Sequence, residues 1–217
     1  MRIFGNWNNH KAYPYVLVTG PAATPISLTD VKTFLKLDLT DTSEDTILTM
    51  MIEAAVDYCE KYTKRDLITK TYTTYRECFK TNMEIRRSKL QSIVSISYYD
   101  NLDVLQTVSS SVYDFSNDTD FSSVVLKYNQ SWPLEVSSRP HPVIIQFTAG
   151  YGSSSSSVPS MLRQALLQIV AALYTNRGDC TEAVGCSCAK LAPGSAMAII
   201  EAYRINDISG HTTRTFI

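Results

Sequence analysis

The chain has 217 residues, of which 44% are hydrophobic and only 19% charged, enough apolar material for one packed core and far from the composition of a disordered polymer. Twenty basic against twenty-one acidic side chains leave a formal charge of -1, which excludes the strong electrostatic drive of a dedicated nucleic-acid or anionic-membrane binder. No run approaches the ~20 apolar residues of a membrane span, residues 1–7 lack the apolar stretch of a signal peptide, and the five cysteines are odd in number and scattered, so free thiols and a soluble protein made in a cytoplasm are expected.

Residues 1–25 hold Trp7, Tyr13, Tyr15 and the run Val16-Leu17-Val18, punctuated by Pro14, Gly20, Pro21 and Pro25. They read as an extended arm that either packs on its own domain or crosses to a neighbouring subunit. Ser27-Leu28-Thr29-Asp30 is a helix start, since the Ser27 hydroxyl can accept from the amide three residues on while Asp30 complements the positive helix end. Leu28, Val31, Phe34 and Leu35 then mark one face. A polar break over residues 38–43 leads to a second helix, expected to be capped by Thr42 or Ser43 and carried by Ile47, Leu48, Met51, Ile52, Ala55, Tyr58, Cys59 and Tyr62 to about Arg65.

From residue 67 the pattern changes to short β-branched and aromatic runs at 69–75, 92–99, 104–108, 124–128 and 143–147. Asp100-Asn101-Leu102-Asp103 is a turn between two of them, so residues 67–150 are expected to form an antiparallel insert. Gly150-Tyr151-Gly152 and the serines after it read as a flexible exit. Pro159 opens a long helix whose Leu162, Ala165, Leu166, Ile169, Val170 and Leu173 keep a helical stripe, stopped by Asn176-Arg177-Gly178. A cysteine-containing loop precedes a short last helix at 196–202, and residues 206–217 form a polar tail. The fold class is therefore α+β: a single domain with a helical core from residues 26–66 and 158–205, the β insert, the arm and the tail.

Catalytic equipment is thin. His10, His141 and His211 lie in the arm, between prolines and in the tail, with no partner at a ligand-forming spacing. Cys180, Cys186 and Cys188 have neither the paired C-x-x-C spacing of structural zinc nor the single C-x-x-C of a redox site, so no metal, cofactor or catalytic residue is assigned and the part played by this loop stays open. Gly150-Tyr151-Gly152 lacks a phosphate-loop pattern. The run Arg86-Arg87-Ser88-Lys89 is short enough to be a solvated strand edge. Helix-turn-helix reading of DNA is disfavoured by charge, because the second helix carries Glu44, Asp45, Glu53, Asp57 and Glu60 against Lys61. Glu53, Asp57 and Glu60 are expected on exposed or subunit-facing positions.

Several segments in order resemble the head-tail connector (adaptor) family of tailed bacteriophages. They are Val16 to Pro21, Pro25 to Lys32, Leu35 to Asp38, the stretch from Tyr58 to Tyr72, Leu90 to Ile96, and Phe147 to Gly152 with Val158-Pro159. The match spans residues 16–175, and the cysteine loop beyond Gly178 departs from it. The resemblance implies a structural virion protein of the neck: a homo-oligomeric ring of about twelve copies, docked beneath the portal protein, carrying the next neck, stopper or tail component, with genomic DNA only passing through its channel. Acidic residues facing that channel would keep DNA from adhering. Apolar and basic residues ending the tail, Ile208, Arg214, Phe216 and Ile217, are candidates for contact with the portal or a neighbour. The alternatives are a DNA-binding packaging or regulatory factor, which salt-sensitive DNA binding would reveal, and a metal-dependent enzyme built on the cysteine loop, which bound zinc with turnover would reveal.

Overall fold

A computed structural model describes residues 13–87, 89–117, 122–177 and 192–205. Helix α1 (Leu28–Leu35) starts where the spacing places it. The Asp30 amide donates to the Ser27 hydroxyl at 3.0 Å and the Ser27 amide to the Asp30 carboxylate at 2.9 Å, so two otherwise orphaned amides are satisfied reciprocally. The backbone and hydroxyl bonds from Ser27 hold the Asp30 carboxyl below its usual pKa. Of the expected face, Val31 is buried but Phe34 is exposed.

Helix α2 (Asp45–Thr63) differs at its start: neither Thr42 nor Ser43 caps it. Asp41 folds the chain into a turn, its carboxylate accepting from the Ser43 amide at 2.9 Å, and the helix begins one residue later, with Glu44 at the cap position and no capping side-chain bond. Glu44 instead reaches helix α3 (Ser160–Thr175), accepting from the Tyr174 hydroxyl at 2.7 Å and pairing with Arg177 at 2.8 Å. Leu48, Ile52, Ala55 and Cys59 of α2 meet Leu162, Ala165, Leu166, Ile169 and Val170 of α3, and helix α4 (Gly194–Ala202) adds Ala196 and Ile200. This is the helical core.

Five strands form an antiparallel sheet in the order β1 (Tyr15–Thr19), β2 (Lys70–Arg76), β8 (Val143–Ala149), β4 (Leu90–Tyr99), β5 (Leu105–Thr107). Three more, β3 (Asn82–Ile85), β7 (Ser122–Leu126) and β6 (Tyr113–Ser116), make a second sheet in that order. Alternation in β2 and β8 sorts the side chains: Tyr72 of β2 and Ile145 and Phe147 of β8 are buried with Ile96 of the irregular β4 and with Met83, Ile85, Val124 and Tyr113 of the smaller sheet. The result is a second core beside the helical one.

Two expectations are corrected here, and one open alternative is decided. Residues 15–19 lie on their own chain, as the first strand of the main sheet, pairing with β2 from Tyr15 opposite Thr74 to Thr19 opposite Thr71 with an irregularity between Leu17 and Thr19. Strands β3 (NMEI) and β6 (YDFS), four residues each, lie outside the expected runs, because each sets only two apolar side chains among polar ones and neither holds a β-branched pair. The stretch after β8 is pinned rather than flexible. Gly150 sits at φ +138° against the backbone of Ile68 and Thr69, its amide donates to the Lys89 carbonyl, and its carbonyl accepts from the Gln91 side chain. The Thr69 amide donates to the Gly152 carbonyl at 2.9 Å, and the serine run closes with a 3-10 turn at Ser155–Ser157. The turn at Asp100 forms as read, its carboxylate accepting from the amides of Leu102 and Val104.

A Cβ at position 150 would lie 2.8 Å from the Thr69 backbone. Gly150→Ala is therefore expected to cost about 2 kcal/mol or more in chemical denaturation, whereas Gly20→Ala, with open space around it, should change stability by less than about 0.5 kcal/mol.

Candidate assembly interfaces

The two cores meet at a buried ionic cluster. Asp66, just past the end of α2, is fully buried. Arg87, from the link between β3 and β4, grips it with two bonds of 3.0 and 2.9 Å and donates to the Tyr72 hydroxyl at 2.7 Å. Tyr72 in turn donates to Asp66 at 2.6 Å. Burial works against the Arg87 charge, but the Asp66 carboxylate beside it prevails and raises its pKa. Burial, then the Asp66 charge, pushes the Tyr72 hydroxyl well above its usual range. Alongside, Lys70 pairs with Glu60, whose other oxygen accepts from the Leu67 amide at 3.0 Å.

Two expectations change accordingly. Glu60 is not on an exposed or subunit-facing position: it is buried, with Lys70 and the Leu67 amide as its partners. Arg87 is not part of a solvated edge but the counter-charge of Asp66, while Arg86 pairs with Glu84 at 3.0 Å. Glu53 and Asp57 are exposed as expected.

The surface offers several areas for contact. The outer face of the main sheet pairs Thr71 with Thr148 and Ser92, Thr73 with Gln146 and Ser95, and Tyr75 with Ile144 and Ser97, without one charged side chain among them. Its two edges are apolar and unlike each other. On β1, Val16, Leu17 and Val18 are each about half exposed; at the far edge stand Val104 and Leu105 with Leu102 at 84% exposure. Tyr128 and Leu134 are almost wholly exposed on the segment between β7 and β8. On α2, Ile47 and Met50 face outward, apart from the buried stripe.

Beside them, residues 21–25 and α2 enclose an open cleft of about 590 Å³, lined by Pro21, Pro25, Ile52, Val56 and Ile68 and by Glu53, Asp57, Glu60 and Lys70.

Among the described residues no three His, Cys, Asp or Glu side chains come together as a metal cage, and no helix is long and apolar enough to cross a membrane. His141 lies on a turn at φ 54°. Burial, helped by the neighbouring Glu60 carboxylate, pushes the Cys59 thiol up to about 12, so it stays protonated and inert near neutral pH. Cys78 is exposed and free. His10, His211, the cysteines at 180, 186 and 188, and the tail candidates Ile208, Arg214, Phe216 and Ile217 lie outside the described residues. The uncharged sheet face and the cleft have no counterpart in the sequence reading; the alternating threonines and serines of β2 and β4 are the available signal for the first.

Residues 25–131 match the family model of the phage gp6-like head-tail connector protein, so the likeness drawn from short segments holds over that stretch. No curated protein sequence matches the chain. Among solved structures, the chain is similar to one from the neck of an empty GTA particle computed with C6 symmetry, at 22% identity, covering 91% of this chain and 98% of that one with a TM-score of 0.73. It is also similar to chains of the virion of a native gene transfer agent particle (21% identity, 90% and 98% covered, TM-score 0.71) and of the native neck computed with C12 symmetry (21% identity, 92% and 99% covered, TM-score 0.67). At these identities the likeness is one of fold.

Removing one partner of a buried pair leaves a charge without compensation. Arg87→Met is expected to cost about 3–5 kcal/mol in urea denaturation, and the double variant Arg87→Met with Asp66→Leu should lose less than Arg87→Met alone.

Proposed function

We propose, taking the head-tail connector match over residues 25–131 as the premise, that this chain is a structural subunit of the neck of a tailed phage or phage-like particle. In this reading the chain is one connector domain that assembles with copies of itself into a closed ring of about twelve, the order of symmetry used for one of the similar necks. The ring joins the portal protein to the next neck, stopper or tail component and surrounds the passage for DNA. Its subunits are made in the host cytoplasm and end in the virion, and they act through shape and contact area rather than catalytic turnover.

The observation that carries the reading is the family match; the surface supports it. A cyclic ring needs two different patches on each subunit, one meeting the other on the next copy. The chain has unlike apolar edges at β1 and β5 and an uncharged sheet face, and depletion of charge is a mark of the centre of protein interfaces. The near-balanced charge of -1 suits a protein past which DNA must slide, and the exposed acids Glu53 and Asp57 would repel it if they face the channel. The tail residues Ile208, Arg214, Phe216 and Ile217 would dock against the portal or a neighbouring subunit.

Particles produced without this chain should accumulate as DNA-containing or empty heads separate from tails in electron micrographs. Normal tailed particles from such cells would end the proposal. Deleting residues 208–217 should abolish attachment to portal-bearing heads; unchanged attachment would remove the tail from the account. Tight DNA binding by the isolated chain that collapses with added salt would favour a packaging or regulatory factor instead.

A further inference from the structure

The cleft between residues 21–25 and α2 has an apolar wall and an acidic rim. Glu60 is taken by Lys70, and Asp57 shares an exposed bond of 2.6 Å with Lys61. Glu53 is exposed and pairs with no described residue. Such a cleft favours an occupant with cationic and apolar groups together and no carboxylate of its own.

This chain contains one. Residues 1–12 carry Arg2 and Lys11, with Ile3, Phe4 and Trp7, and no aspartate or glutamate. Residues 206–217, of equal length, set Asp207 against Arg214 and complement the rim less well. Geometry then separates a segment's own cleft from that of another copy. Tyr13 lies against the Arg76 guanidinium, 4.1 Å from ring centre to charge, and Tyr15 stands opposite Thr74. The cleft begins at the other end of β1, where Pro21 follows Thr19. Five strand residues separate the two ends, roughly 17 Å. Tyr13, where the described chain begins, therefore lies at the end of β1 remote from the cleft, so for residues 1–12 their own cleft would require a reversal and a run back along the strand.

We propose that residues 1–12 of one copy occupy the acidic cleft of the next copy, tying adjacent subunits together. The inference rests on the ring reading above and assigns the occupant of one face of its subunit contact.

The test uses a dye-labelled synthetic peptide of residues 1–12 and two variants of the chain. One variant lacks residues 1–12 and keeps its cleft; the other keeps residues 1–12 and carries Glu53→Lys with Asp57→Lys, both exposed positions whose folding circular dichroism can verify. The peptide should bind the first variant with one-to-one stoichiometry in fluorescence anisotropy. The two lysines, introduced into that variant, should weaken binding by about tenfold or more. Mixed in sedimentation experiments, the two variants should associate with each other more tightly than either does with itself. Absence of peptide binding, or binding indifferent to the lysines, overturns the proposal. Peptide binding without association of the mixed variants also overturns it, because the segment then folds onto its own chain. Displacement by a peptide of residues 206–217, at lower concentration than by 1–12, gives the cleft to the tail instead. If these experiments fail while the whole chain is found in purified necks, only the cleft assignment falls; if the chain is missing from necks, the ring reading falls with it.

Discussion

Much of this fold turns on how the Asp66 carboxylate finds partners where it is fully buried. A lone buried carboxylate is expensive, and the cost is offset only by a geometry good enough to satisfy both oxygens. Here the Arg87 guanidinium spans both oxygens and the Tyr72 hydroxyl supplies a further bond. Those three residues belong to the end of α2, the β3 to β4 link and the main sheet. The Glu60 to Lys70 pair repeats the device between α2 and the start of β2, and the backbone of Gly150 presses on Ile68 and Thr69 beside it. The helical and β cores are thus held together by polar contacts that tolerate little displacement, because any shift strands a charge.

In the proposed ring that stiffness has a use: contacts at the sheet edges would be transmitted to the helices without slack, so that small errors would not accumulate from copy to copy. The same division leaves the remaining surface free of the charged cluster. The outer sheet face spends its alternation on threonine, serine and glutamine rather than on charge, and the apolar side chains that remain outside sit at the two sheet edges, on α2 and on the segment after β7. Cys59 is buried in the helical core, and the charged cluster at the junction is satisfied internally.

Much of this was legible in the residues themselves. The Ser27 and Asp30 spacing sets a helix start because its bonds are local, and the stripe of α3 declares a buried face whatever lies opposite it. Family likeness was also legible, carried by the order of segments such as Tyr58 to Tyr72. Legibility fails where the partner is distant. Glu60 and Arg87 look like surface charges until Lys70, ten residues on, and Asp66, twenty-one residues back, are brought to them by the fold. Val16 to Val18 leave open which surface they lie on until β2, more than fifty residues later, pairs with them. Thr42 and Ser43 look like caps, but Asp41 folds the chain into a turn, the helix begins one residue later, and Glu44 turns to α3.

The central claim is that this polypeptide functions as one of many identical copies arranged around the DNA passage. Cryo-electron microscopy of purified particles, with the chain identified in them by mass spectrometry, addresses it most directly. The account predicts a closed ring between the portal and the tail into whose repeating density residues 13–87, 89–117 and 122–177 fit without rearrangement, with the main sheet and α2 at subunit boundaries. Particles that contain no copy of the chain, or that hold it singly away from the neck, would contradict it.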